Sequence, residues 1–129
     1  MSYKFVIDTY AWVEYFKGSE EGKMALPYIE GGESAVSAFA IAELAEKYQR
    51  ENKDFEEDYK FILSKTKIVE VTMEIARHAG EINAENKKKI KNWGMADAIM
   101  LATAQILNAR VVTGDAHFKT LNAIMISKK

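Results

Sequence analysis

Apolar residues along this chain fall into short runs that switch repeatedly between strand-like and helix-like spacing. Lys4-Phe-Val-Ile-Asp8 reads as a strand ending on an acid, and Thr9–Phe16 follows at once as a short helix rich in Tyr10, Trp12, Val13, Tyr15 and Phe16. Lys17-Gly18-Ser19 breaks that helix; a second runs from Glu20 to about Ile29 with Pro27 interrupting it, and Gly31-Gly32 punctuates the chain. Glu33–Ser37 is a brief strand, and a long helix runs from Ala38 toward Asn52. Phe55–Leu63 forms the second helix of a hairpin, with Phe55, Tyr59 and Ile62 or Leu63 at helical spacing. Lys67–Thr72 is β-branched and strand-like. Met73 to about Lys89 is helical, with Ile75, Ala79, Ile82 and Asn86 on one side. Trp93-Gly94 interrupts the chain, and Met95–Leu107 is a helix apolar nearly all round, the mark of a buried element. Arg110–Thr113 and Ala123–Ile126 complete the set as short strands. Strands alternating with helices across short connections predict an α/β fold: a three-layer sandwich with a mostly parallel central sheet flanked by helices.

Composition narrows this picture. A chain of 129 residues, 48% hydrophobic, supports a single domain over residues 1–129 and is too short for two. The absence of cysteine excludes disulfides, thiol nucleophiles and cysteine-ligated zinc. His78 and His117 lie far apart in sequence, which argues against a histidine-based metal cage. Only a three-residue apolar run precedes Asp8, so no secretory signal is expected, and no stretch reaches membrane-spanning length without charge. A cytoplasmic location and no membrane partner are the expectation. The net charge of −1 neither favours nor excludes nucleic acid; the one local basic run is Lys87-Lys88-Lys89-Ile90-Lys91.

The candidate chemistry lies in four carboxylates beside apolar runs: Asp8, Glu43 in Ala38-Phe-Ala-Ile-Ala-Glu43-Leu-Ala45, Asp97 in Met95-Ala-Asp97-Ala-Ile-Met-Leu-Ala102, and Asp115. A buried, unpaired carboxylate costs several kcal/mol, so such groups are normally paired, protonated or bound to metal. Each also has a plainer explanation. Asp8 and Asp115 could cap the elements that follow them, Asp97 could face a helix dipole, and Glu43 could sit on an exposed flank. In an open parallel sheet, however, Asp8 and Asp115 both lie just past strand ends, on the rim where ligands bind. One divalent ion would satisfy all four acids together.

These residues also carry a resemblance. Val6-Ile-Asp8-Thr9, Ser37–Leu44 around Glu43, Ala96–Ala104 around Asp97 and Val112-Thr113-Gly-Asp115-Ala-His-Phe118 resemble, in order, the four acidic motifs of the PIN domain, a small metal-dependent nuclease fold, and most closely the VapC-type toxins of prokaryotic toxin–antitoxin pairs. The resemblance covers essentially the whole chain. It implies cleavage of RNA to 5′-phosphate and 3′-hydroxyl ends with Mg²⁺ or Mn²⁺, a VapB-type antitoxin partner and a homodimer. It also implies Asp8 and Asp97 as central ligands, with Glu43 and Asp115 ligating directly or through water. Thr113 would hold a metal-bound water or orient Asp115, and Thr9 is a lesser candidate for the same work. Some members carry a further acid just after the fourth motif, where this chain has Ala116-His117, a departure that bears on whether a second metal is held as firmly as the first.

Lys87, Lys88, Lys89 and Lys91 are candidates to grip an RNA backbone, with Trp93 stacking a base; alternatively the lysines offset a helix dipole. The alternatives of different class are a PIN-like binding module without catalysis and a nuclease of housekeeping RNA maturation. A receiver domain would need an acid pair at the first strand and an aspartate ending the third; an aspartate-nucleophile phosphatase would need Asp-x-Asp where the chain reads Asp8-Thr9-Tyr10.

Overall fold

Among the described residues, five strands make one sheet in the order β3-β2-β1-β4-β5, with every neighbouring pair parallel. They are β1 (Phe5–Ile7), β2 (Ser34–Ser37), β3 (Lys67–Val69), β4 (Arg110–Thr113) and β5 (Ile124–Met125). The helices between them are α1 (Thr9–Lys17), α2 (Glu20–Glu30), α3 (Ala38–Arg50), α4 (Glu56–Lys65), α5 (Met73–Asn86) and α6 (Met95–Leu107). This computed structural model describes residues 2–127.

The strand order decides where a ligand can sit. The chain steps outward from β1 to β2 to β3, then crosses back over the sheet to β4 on the other side of β1. Right-handed crossovers therefore put α1–α4 on one face and α5 and α6 on the other. The reversal falls between β1 and β4, whose registers align Ile7 with Val112. At that point the loops leaving the two strands diverge to opposite faces and open a crevice.

The core follows from the patterns. Val6, Ile7, Val36, Val111 and Val112 are buried on both sides of the sheet, as parallel strands covered by helices must be. Trp12, Ile29, Leu44 and Ile62 fill one layer, and Ile75, Ala79, Ala98 and Leu101 the other. The α6 helix, apolar all round, packs on α5 and lies against β1 and β4.

Three elements differ from the sequence expectation. Pro27 does not interrupt α2, which runs unbroken from Glu20 to Glu30. Ala25 and Ile29, both fully buried, anchor the helix on either side of the proline, and that packing outweighs the roughly 3 kcal/mol cost of a proline in a helix interior. The third strand ends at Val69 rather than Thr72, because the Thr72 hydroxyl accepts from Ile75 N and caps α5. The α5 helix stops at Asn86, and the lysines beyond it lie in turns.

The α1 and α2 helices meet backbone to backbone at Gly22. A Cβ on Gly22 would stand 2.1 Å from the carbonyl oxygen of Glu14 and 2.9 Å from Tyr15 Cα. Both are backbone atoms that cannot swing away. Gly22→Ala gains about 1 kcal/mol of helix propensity but forces the two helices apart at an overpacking cost of about 1–3 kcal/mol or more. A net loss of stability is therefore expected, read as a lower denaturant midpoint at unchanged slope; an alanine variant as stable as the parent would contradict the contact.

Candidate active site

Asp8 is the residue at which β1 becomes α1. Its Oδ1 accepts from Ala11 N at 2.9 Å and so caps the helix, and its side chain is otherwise enclosed, with the residue only 6% exposed. Burial pushes its carboxyl pKa up to about 7. The Thr113 hydroxyl and the Ala11 amide work in the opposite direction, while the negative charges of Asp115 and Glu43 raise it further. A helix cap alone explains neither the burial nor the crowding by two other acids.

The other three acids converge on the same place from different elements. Asp97, in the first turn of α6, accepts from Gly94 N through Oδ2 at 3.1 Å. Asp115 follows β4 and accepts from His117 N through Oδ1 at 2.9 Å, capping the short 3-10 turn Ala116–Phe118. Glu43, on α3, accepts a hydrogen bond from the Thr9 hydroxyl through its Oε1. Asp8, Glu43, Asp97 and Asp115 all line one small cavity of about 130 Å³, together with Thr9, Tyr10, Ala96, Met100 and Phe118. The capping explanations thus hold for Asp8 and Asp115, and the cluster holds as well; the two are compatible because each carboxylate keeps a second oxygen.

Thr113 and Gly114 shape the rim. Fully buried Thr113 accepts from Asp115 N at 2.9 Å, which fixes the turn that aims Asp115, and its hydroxyl favours the ionised form of Asp8. Gly114 lies under the Tyr10 ring, where an added Cβ would be 2.2 Å from Cε1. The bare backbone lets Tyr10 lie across the loop, tying α1 to the end of β4.

Charge separates this cavity from its neighbours. A wider cleft is lined by Met73, Glu74, Arg77, His78, Glu81 and Ile106, and there Arg77 pairs with Glu81 at 3.3 Å. A second contains Lys17, Lys47, Glu51 and Lys53, with Lys47 and Glu51 paired at 2.6 Å. The four-acid cavity has no lysine or arginine in its lining, and none forms an ion pair with Asp8, Glu43, Asp97 or Asp115 among the described residues. Carboxylates without a lysine or arginine beside them suit a hard divalent ion such as Mg²⁺ or Mn²⁺; the ligand atoms that lie within 4.8 Å of one another here are those of Asp97, Asp115 and His117, with Asp8 and Glu43 on the same cavity but outside that group.

Sequence reasoning missed one residue here. His117 Nδ1 lies 3.0 Å from Asp97 Oδ2 and 3.5 Å from Asp115 Oδ1. The distance in sequence to His78 hid this, although the position two residues after Asp115 was a usable signal. His78 is elsewhere, bonded through Nε2 to Gln105 at 2.7 Å.

One expectation is corrected. Trp93 is 3% exposed and packs its ring on Phe118 at 5.4 Å and on His117 at 6.5 Å. A ring buried on this scale has no free face for a base, so it forms the wall behind the site. Lys87, Lys88, Lys89 and Lys91 remain exposed in the turns just before α6.

The chain belongs to the PIN domain family, whose model matches residues 5–124. Solved structures share the fold. A toxin–antitoxin complex from Klebsiella pneumoniae superposes with a TM-score of 0.75 at 24% identity, covering 92% of this chain and 93% of that one. DNA-bound VapBC from Salmonella typhimurium gives 0.73 at 21% identity over 95% and 96%. VapC20 from Mycobacterium tuberculosis, described as a toxin that cleaves the sarcin–ricin loop, gives 0.69 at 13% identity over 93% and 96%. No curated protein matches the sequence. No helix among the described residues is long and apolar enough to cross a membrane.

Proposed function

We propose that this chain is a metal-dependent endoribonuclease and the toxin of a VapBC-type pair. The observation that carries the reading is the convergence of Asp8, Glu43, Asp97 and Asp115, from four separate segments, on one cavity with no lysine or arginine in its lining among the described residues. When bound, Mg²⁺ or Mn²⁺ would lower the pKa of its water and relieve charge on the phosphoryl oxygens of RNA.

The chain's own residues do the rest. Asp8 and Asp97 serve as central ligands from opposite sides of the switch point, and Glu43 and Asp115 complete the oxygen set directly or through water. Thr9 orients Glu43, and Thr113 orients Asp115 while favouring the ionised form of Asp8; outer groups of this kind fix the direction of ligand lone pairs. The exposed Lys87, Lys88, Lys89 and Lys91 offer positive charge to the RNA backbone near the N-terminus of α6. The relatives are described as toxin–antitoxin complexes, which supports a VapB-type antitoxin partner; the homodimer and a cytoplasmic site of action belong to the same reading.

The test is cleavage of a structured RNA by the purified chain with Mn²⁺ or Mg²⁺, beside the same mixture with EDTA. Cleavage is expected only with the ion, leaving 5′-phosphates that a 5′-phosphate-dependent exonuclease can enter. Cleavage that survives EDTA, or that leaves 5′-hydroxyl ends, would overturn the assignment.

A further inference from the structure

We propose that His117 is a direct nitrogen ligand of the ion at this site, and that it tilts the site toward Mn²⁺ over Mg²⁺. The inference rests on the metal-site reading above and adds to it a residue outside the four acids.

Geometry comes first. Asp97, Asp115 and His117 each present a ligand atom, and the three atoms lie within 4.8 Å of one another. That is the spacing of donors around one ion. The ring is also held in place. His117 N donates to Asp115 Oδ1, so the same carboxylate that faces the cavity fixes the histidine backbone. The next residue, Phe118, is 1% exposed and pins the 3-10 turn to the core, and buried Trp93 packs against the imidazole. Of the two ring nitrogens, Nδ1 is the one turned toward the acids.

The 3.0 Å contact of Nδ1 with Asp97 Oδ2 is of hydrogen-bond length, and which tautomer makes it is set by where the ring proton sits. A neutral imidazole has two tautomers, and moving the proton to Nε2 frees the Nδ1 lone pair for an ion without changing the ring's charge. Asp97 and His117 would then both turn from each other to the ion. Donor chemistry sets the preference. Carboxylates and water serve Mg²⁺ and Mn²⁺ alike, whereas an imidazole nitrogen is a softer donor, which the d-block Mn²⁺ accepts more readily than the harder Mg²⁺ does. A mixed set of oxygen and nitrogen therefore favours Mn²⁺, where four carboxylates alone would discriminate little.

Pulsed electron paramagnetic resonance on the full chain with one equivalent of Mn²⁺ tests this directly. Modulation from a coordinated ¹⁴N is expected in the parent and is expected to vanish in His117→Asn. Calorimetry with Mn²⁺ and with Mg²⁺ supplies the second measurement: the ratio of the two affinities should fall roughly tenfold or more in His117→Asn, on the scale of losing a group that tunes a metal site. Bound Mn²⁺ without nitrogen modulation in the parent would overturn the inference and leave the four-acid site standing. An unchanged affinity ratio in the variant would do the same, making His117 only a hydrogen-bond partner of Asp97. If the parent takes up neither ion, the metal-site reading fails, and this inference fails with it. The parent's spectrum decides the matter even if the variant folds poorly.

Discussion

Asp8→Asn is expected to stabilise the metal-free protein at neutral pH and, in the same molecule, to abolish RNA cleavage. The carboxyl titrates near 7 in the folded chain, against an ordinary value of 3.8. The folded state therefore holds this proton more tightly than the unfolded state does. Stability from this group is fully present below about pH 4 and is lost as pH rises toward 7. Some three pH units at 1.4 kcal/mol each give an upper bound of roughly 4 kcal/mol. Asparagine keeps an oxygen for Ala11 N and never ionises, so it escapes that loss.

Thermal unfolding in EDTA at pH 5 and pH 8 separates the two proteins. The parent should lose melting temperature between these values, the variant much less, and Mn²⁺ at pH 8 should restore the parent alone. Cleavage should fall about a thousandfold, the equivalent of some 4 kcal/mol of lost charge stabilisation. A variant less stable than the parent at pH 8 in EDTA would show that Asp8 is not a carboxylate held ionised against its surroundings. One that still cuts RNA would remove Asp8 from the ligand set.

The second large effect concerns the layer beneath α1. Trp12→Ala is expected to cost about 3–5 kcal/mol, a large part of the 5–15 kcal/mol typical of a domain. Trp12 is fully buried, stacks on Phe16 at 5.6 Å and meets Tyr15 edge-on at 6.1 Å. Its Nε1, however, is buried without a hydrogen-bond partner. Trp12→Phe removes that unpaired donor while keeping an aromatic body, and should cost less than about 2 kcal/mol. Denaturant midpoints for the pair decide it: if phenylalanine cost as much as alanine, the indole N–H would have to find a partner in solution.

Much of the fold was readable because burial and periodicity agree in it. The α6 helix has no polar face, and in the structure it lies between α5 and the sheet. The misread boundaries are places where a side chain's local bond or tertiary packing overrides propensity, as at Thr72 and Pro27. The four acids were legible because each interrupts an apolar run, a local signal. What they do together was not, since Thr9 reaching Glu43 and His117 reaching Asp97 span residues far apart in sequence. Trp93 misled for the same reason: a tryptophan beside lysines and a glycine looks exposed, and only the tertiary fold reveals Phe118 against its ring.

The pairing of β1 with β4 has a consequence beyond geometry. Register places Phe5 beside Arg110, so the central hydrogen-bonded seam joins the two ends of the polypeptide. Partial melting that peels away β4 and β5 would carry off Asp115 while leaving the helical hairpins of the first half largely intact. Such a species would keep the helical signal of α1–α4 although its ion-holding pocket had come apart. Helical content and competence are thus separable in this architecture.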